Sequence, residues 1–560
     1  MVGKHAVASL LTALVVVSAT PCAAQATPEE LLRGEAEGRD TFLPDFSYAG
    51  YGFGLAPLPQ AGGRELSVAE FGALPDDDKD DSAALKAALE AAGRIEGPIR
   101  LVFAPGRYLV TEILPVTRSD LVLQGTGGGE GGTELHFPRP LAMVETGERF
   151  EELREYLKRY EKRQREPDNN LDVLFSEYSW TGGFVWVGRE GARAVPYLEE
   201  LDRKPEPIGR AVAGERGALS LRVEDPAAFS ADRWIEIAWF AREGRGSGII
   251  DEIYGETDLE IGSHHWSFED RPLVRHRTKV VSVEDDVLTL ASPLPHPVSE
   301  SVAASILAWE PLVNVGLEDM ALTFPEAAVF GHHVERGYNG VYFTGAADGW
   351  MRNVTIRNAD AGVLTDDSAY LTFRDLVIEG SRKGHYAVHM GAVQNVLVSG
   401  LDVFNPVIHS LTFNTKSTRS VYQHVEVWRQ PVIDQHAGAN HQNLYDDVTL
   451  HLTAAASAQG PSYPVFDGSG AGYWQPGHGR YNTVWNMKLI VEGGAAPGTT
   501  LNVLGLAEGP DARIVGLHAN RPITLDYRPQ PLTVSLGQPV ESIPSLYEHQ
   551  LAARRERAEP

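Results

Sequence analysis

The stretch LSVAEFGALPDDDKDDSAALKAALEAAGRIEGPIRLVFAPGRYLV, Leu66 to Val110, decides the fold. Leu66, Val68 and Phe71 open a strand-like segment. The acidic run PDDDKDD follows, and Asp80, Asp81 or Ser82 is placed to cap a helix with carboxylates at its positive end. Ala84, Leu85, Ala88, Leu89 and Ala92 then recur at helical spacing as an apolar stripe, which Arg94 to Pro98 breaks. RLVFAPGRYLV and DLVLQGTG continue as short strands bounded by Gly and Pro turns. A single amphipathic helix thus precedes a long strand-rich body, and the reason lies downstream.

From about Val315 a repeat sets in. VTI (Val354, Ile356) is followed by LVI (Leu376, Ile378), LDV (Leu401, Val403), VEV (Val425, Val427) and VTL (Val448, Leu450), at intervals of 22, 25, 24 and 23 residues. Period-two apolar residues at that interval predict a solenoid of parallel strands. Helical repeats are longer, and the Leu/Asn consensus of leucine-rich repeats is missing. Met487 and Leu489 come 39 residues after Val448 and Leu450, so an extra loop lies between, within GPSYPVFDGSGAGYWQPGHGRYN (Gly460–Asn482). A solenoid exposes its core at both ends. The helix over Asp81–Gly93 is therefore expected to plug the first coil.

Phe71-Gly72-Ala73, the Asp76–Asp81 loop and LVFAPGRYLV from Leu101 resemble the opening of the pectate-lyase-like superfamily. The resemblance, with the repeat, spans roughly Leu66–Phe137 and Val315–Asn520. It implies an all-β fold: a right-handed parallel β-helix with an N-terminal capping helix and an inserted α/β-rich segment. It also implies carbohydrate-active chemistry, chiefly that of polysaccharide lyases and glycoside hydrolases. On this reading residues 1–26 are a signal peptide, 27–65 an extension, 66–540 one β-helix domain with an insertion over about 145–312, and 541–560 a short helix and loose tail. Within the insertion, Arg149–Glu166 reads as a charged helix and two stretches as paired strands. An irregular segment with His264, His265 and Trp266 is placed to act as a lid.

Composition narrows the function. Lys4, the apolar run Ala6–Val17 and Ala24-Gln25-Ala26 form a secretory leader, too short in its apolar part to span a bilayer, and predict a secreted or periplasmic protein. Cys22 is the only cysteine and leaves with the leader, so disulfides and thiol nucleophiles are excluded. A formal net charge of −27 argues against nucleic acid and anionic membranes. It also opposes an acidic glycan, unless local cations reverse the field.

Stacked coils bring equivalent positions into columns. His385, His409 and His436 follow their anchor strands by nine, eight and eleven residues, and adjacent strands put them about 5 Å apart per step. Asp434, two residues before His436, faces the same way and is placed to orient it. Arg429, Lys416, Arg419, Asn414, His389 and His424 come from the same coils and suit an acidic sugar. Tyr463, Trp474, His478 and Arg480, with Tyr473, offer a sugar-binding wall. No metal ligands are assigned: there is no H-E-x-x-H, and adjacency is expected to point the His332 and His333 rings apart. No cofactor is certain. The alternatives are Ca²⁺ at the acidic loop and a divalent ion at the His385, His409, His436, Asp434 set.

A lyase needs a base, a cation for the uronate carboxylate and an acid, whereas a hydrolase needs two carboxylates. The aspartates of the β-helix hydrolases resembling polygalacturonases are poorly matched. Gly477-His478-Gly479 and Asp446-Asp447 are present, but Lys416 stands where Asn414-Thr415 should be followed by Asp, and no RIK follows. The sequence therefore predicts an exported polysaccharide lyase acting on a uronate-containing polysaccharide or oligosaccharide. His409 or His436 is the expected base, His385 the acid, and Arg429 or Lys416 the carboxylate partner. The alternatives are a glycoside hydrolase or transglycosidase using Asp366, Asp367, Asp434, Asp446 or Asp447, and a non-catalytic glycan-binding β-helix.

Overall fold

A computed structural model describes residues 27–34, 40–60, 62–144, 146–159, 175–192, 194, 203–242, 248–328, 331–456, 460–467, 470–493, 496, 498–505 and 509–558. The expected signal peptide lies outside these residues, as does the part of the expected charged helix beyond Arg159. Among the described residues no helix is long and apolar enough to cross a membrane.

Two long parallel sheets make the body. The first begins Arg64–Ser67, Ile99–Val102, Leu121–Gln124, Val315–Thr323 and ends at Leu532–Val534. The second runs from Leu114–Val116 through Val185–Val187, Asn339–Thr344, Ala361–Asp366, Gly384–Met390, Val407–Phe413, Ile433–Gln435 and Ser462–Asp467 to Ile523–Asp526. The repeat positions pair as their spacing requires. Val354 registers with Leu376, Leu376 with Leu401, Leu401 with Val425, and Val425 with Val448. Leu450 meets Leu489, so the longer interval is one coil with a loop drawn out of it. Single bridges Ala347–Ala369–Gln394–Thr418–His441 form a third ladder at the same intervals.

Each coil must turn sharply at fixed places, and the backbone shows how. Asp319, Asn353, Asp375, Gly400, His424, Asp447, Asn486 and Gly516 occupy one left-handed position inside the strands of the first sheet. Asp348, Tyr370, Asn395, Arg419, Gln442, Tyr481 and Asp511 occupy a second. A third is taken by Gly345, Asp367, Ala392, Lys416 and Ala439. Left-handed φ is tolerated best by Gly, Asn and Asp. The punctuation between strands is thus the set of corners, and it sets the coil length.

The helix Ser82–Gly93 buries Leu85, Ala88, Leu89 and Ala92 in the main core, against the first coil. Its acidic loop does more than cap. Asp81 makes no side-chain cap; its carboxylate accepts from the backbone N–H of Leu74 and of Leu109, both at 3.0 Å. Asp76 accepts from the Arg107 N–H at 2.9 Å, and Asp80 from the Thr111 hydroxyl and the Ser82 N–H. The loop therefore pairs the open edge of the strand Gly106–Leu109, which would otherwise present bare N–H groups to another chain. These carboxylates are engaged with donors of the loop and the first coil.

Two boundaries differ from expectation. Val185–Val187, inside the expected insertion, belongs to the second sheet and pairs with Leu114–Val116 and Asn339–Thr344. The excursion proper starts after it and forms a small closed barrel of six strands between Pro207 and Ala308, with its own core of Leu221, Ile235, Ile237, Trp239, Leu288 and Ile306. The barrel docks on the second row of corners: the Tyr370 hydroxyl donates to the Arg277 carbonyl and Arg419 to those of Pro293 and Leu294. The C-terminus is not a loose tail. The helix Leu546–Ala558 buries Leu546, Tyr547 and Leu551 against the N-terminal segment, and Arg554 donates to the Ser47 and Phe53 carbonyls.

Two predictions follow from these anchors. Asp81→Asn leaves one of two buried N–H groups facing a donor, and should lower unfolding free energy by about 1–3 kcal/mol, read as a fall in the denaturant midpoint. His424 has its pKa raised to about 9 by its hydrogen bond to Asp447, with Glu548 of the last helix on its other nitrogen. Its folded pKa lies above the ordinary value, so its contribution is present below pH 6.5 and lost as pH climbs through 9. His424→Asn, which keeps a side chain suited to left-handed φ, should lower the melting temperature modestly at pH 6 and leave it unchanged at pH 10.

Candidate functional site

The strands Gly384–Met390, Val407–Phe413 and Ile433–Gln435 lie side by side in the second sheet. They bring together the three histidines read from the sequence. Ring centroids of His385 and His409 are 5.3 Å apart, and those of His409 and His436 5.4 Å. The histidines do not share one register position: His409 pairs with Tyr386, while His389 pairs with Thr412 and Thr412 with Asp434. The cluster is therefore built from neighbouring rows rather than from a single column.

Asp434 is at its centre. It is fully buried; its Oδ2 lies 3.0 Å from His409 Nδ1 and 3.2 Å from His436 Nδ1 and accepts from the Thr412 hydroxyl. Burial opposes its charge, yet the two imidazoles hold the carboxyl well below the usual range. His436 retains 18% side-chain exposure against 5% for His409 and 1% for His385, so it is the member of the trio that reaches solvent.

The sequence reading missed three contributors, all from the excursion between Val315–Thr323 and Asn339–Thr344. His332 and His333 do not point apart; their rings stack with centroids 3.7 Å apart, and His332 Nε2 lies 3.1 Å from His385 Nε2 and 3.4 Å from His409 Nε2. Glu335 is buried, with Oε1 3.2 Å from His385 Nδ1 and Oε2 accepting from the Ser179 hydroxyl at 2.6 Å. Burial, then mutual repulsion, pushes His332 down to about 4 and His333 to about 2, and His385 well below its ordinary value. His389 falls to about 3 through burial and His436. The local signal was the string His332-His333-Val334-Glu335, two rings and a carboxylate on one short excursion.

At the ends of the strands Asn339–Thr344 and Ala361–Asp366 is a cleft of about 550 Å³ lined by Arg189, Arg275, Arg277, Trp309, Asp366, Asp367 and Lys416. Lys416 sits at a left-handed corner, its Nζ 5.9 Å from the Trp474 ring. Asp367 is 44% exposed and pairs with Arg277, while Asp366 is buried at the end of its strand. The loop carrying Trp474 reaches the cluster through Gly470, which lies against the His436 ring. The expected lid is seated on this same loop, with His264 and His265 packed on Trp474 at 4.4 and 4.9 Å.

Several expected binding residues belong to the scaffold instead. Arg419 is buried and docks the barrel; Arg480 pairs with Asp40 and Asp511; His478 is fully buried between the Gly479 carbonyl and the Tyr527 hydroxyl. Asn414 is buried and accepts from the Thr415 N–H, and Tyr463 packs on the main core. Arg429 is exposed in the turn before Ile433–Gln435, away from the cleft lining. Asp446 and Asp447 lie on the first sheet. Asp446 holds the start of the last helix through Ser545, Leu546 and Tyr547, with burial pushing its carboxyl up to about 7, and Asp447 pairs with His424.

Residues 66–136 match the family model described as rhamnogalacturonase A/epimerase, pectate lyase-like. No curated protein matches the chain. Among solved structures, the tailspike protein gp49 of Pseudomonas phage LKA1 is similar at 12% identity, over 84% of this chain and 81% of that one, with a TM-score of 0.45. The mannuronan C-5 epimerase AlgE4 A-module of Azotobacter vinelandii is similar at 12% identity, over 84% and 96%, with a TM-score of 0.29. An exopolygalacturonase of Thermotoga maritima is similar at 12% identity, over 85% and 93%, with a TM-score of 0.33. The coils stacked in one register make the described residues a parallel β-helix, and its opening, residues 66–136, is similar to the pectate-lyase-like family model.

Proposed function

We propose that this protein is an exported carbohydrate-active enzyme that cleaves a uronate-containing glycan by β-elimination, with His436 as the base. One observation carries the reading: an imidazole that reaches solvent, held through Nδ1 by a buried carboxylate that stays ionised. That arrangement fixes the tautomer and leaves Nε2 as a proton acceptor. The base takes the proton α to the uronate carboxylate, the C4–O bond breaks, a C4=C5 double bond forms, and the leaving oxygen departs with a proton from water. Lys416, in the lining of the cleft, is the cation we assign to the charge that develops on the carboxylate. A family model named for rhamnogalacturonase and epimerase agrees with an acidic glycan as substrate. His385, buried with its Nε2 facing His332, is poorly placed as the acid that the sequence suggested.

A second reading, hydrolysis, is favoured by Asp366 and Asp367 lining the same cleft. Incubation with a panel of uronate polysaccharides separates the two. Ultraviolet absorbance of unsaturated ends rising with reducing ends supports elimination; reducing ends without absorbance support hydrolysis. If neither appears while the glycan still binds, the protein is a glycan-binding β-helix. For elimination, His436→Gln should lower kcat about 100- to 10,000-fold with little change in glycan affinity. Lys416→Gln should lower kcat/KM about 100-fold on free uronates and far less on their methyl esters.

A further inference from the structure

We propose that the Nε2 atoms of His332, His385 and His409 hold one divalent first-row transition-metal ion of the zinc type. Three imidazoles converge here from three separate segments: the excursion and two neighbouring strands of the second sheet. His332 Nε2 lies 3.1 Å from His385 Nε2 and 3.4 Å from His409 Nε2. Two nitrogens bound at zinc distances with tetrahedral angles lie about 3.3 Å apart.

Hydrogen bonding among the rings accounts for less. One proton on His332 Nε2 serves one neighbour, whereas a metal ion satisfies all three nitrogens. A comparison within the molecule makes the point. His296 and His441, buried under the barrel, face each other Nε2 to Nε2 at 2.7 Å, a hydrogen-bond distance too short for two ligands on one ion.

The far sides of the rings suit ligands too. His385 Nδ1 is backed by Glu335 and His409 Nδ1 by Asp434, at 3.2 and 3.0 Å, although neither N–H is aimed squarely at its oxygen. Carboxylates behind ligating imidazoles orient them and raise their basicity. The His333 ring, stacked on His332, fixes the one ligand that comes from a loop. Nitrogen donors select zinc, cobalt or nickel over the calcium ion suggested by the sequence, which takes oxygen. His332 is exposed, so the site opens toward solvent on the side of the excursion. A substrate carboxylate oxygen is the chemical class that would complete the coordination. That last role rests on the elimination reading; the metal site does not.

The test uses untagged full-length mature protein, stripped with a chelator and titrated with cobalt(II) in the absence of any glycan. The expected result is one equivalent bound, with the visible absorption of nitrogen-ligated tetrahedral cobalt, displaced by zinc and not by calcium. Glu335→Gln should weaken cobalt about 10- to 100-fold. His332→Gln, on an exposed loop and checked for an unchanged circular dichroism spectrum, should weaken it further. His549→Gln, on the last helix, should change nothing. No cobalt spectrum, or one unaltered in His332→Gln, overturns the site. Elimination by a protein that shows no cobalt spectrum would leave the function standing without the site; a stoichiometric ion with no elimination would leave the site standing without the function.

Discussion

Everything in this molecule depends on turning the chain at the same three places in every coil. A left-handed residue costs roughly 1–2 kcal/mol unless it is Gly, Asn or Asp, so corners are written into the sequence at sites of that kind. Once the corners are in phase, parallel strands fall into register and alternate residues enter a continuous core. Three of the exceptions are informative. Tyr370, Arg419 and Gln442 accept the same left-handed strain, and each reaches across to the inserted barrel or its flanking loop. Docking a second folded body offsets the strain that those residues carry.

The same periodicity places the chemistry. Strands at 4.7–4.9 Å spacing bring the rings of successive coils within contact. In this protein the rows supply His385, His409, Asp434 and His436, and an excursion drops His332, His333 and Glu335 onto them. Burial keeps most of these imidazoles neutral while one carboxylate stays charged at the centre. Imidazole nitrogens gathered around buried carboxylates have two natural uses, accepting a proton and accepting a cation, and we assign the first to His436 and the second to His332, His385 and His409.

Much of this was legible beforehand, for a physical reason. Strand periodicity is local, and the intervals from Val354 to Val448 gave the coil directly; so did the helix that plugs its end. What lay beyond reach was the path of segments without a period. The excursion carrying His332 has no repeat partner, and adjacency suggested diverging rings when a bend instead stacks them. Arg419, His478 and Arg480 were chosen by residue type, which cannot distinguish a charge facing a groove from one buried beneath a docked barrel or tied to Asp40. Val185–Val187, three residues long, was too short to announce a coil inside what looked like an insertion.

The last helix grips the segment 40–60. Gln550 bonds Phe46 and Pro44, Tyr547 bonds Ala49, and Arg554 bonds Ser47, while Tyr51 and Gly52 in turn reach Thr372 and Asp348 several coils away. A chain emerging vectorially from its site of synthesis can stack coils one upon another as they appear. Its leading segment, however, has no complete berth until residues five hundred positions later have been made. Stacking can be incremental, but this clasp joins residues some 504 positions apart and can close only once the later ones have been made.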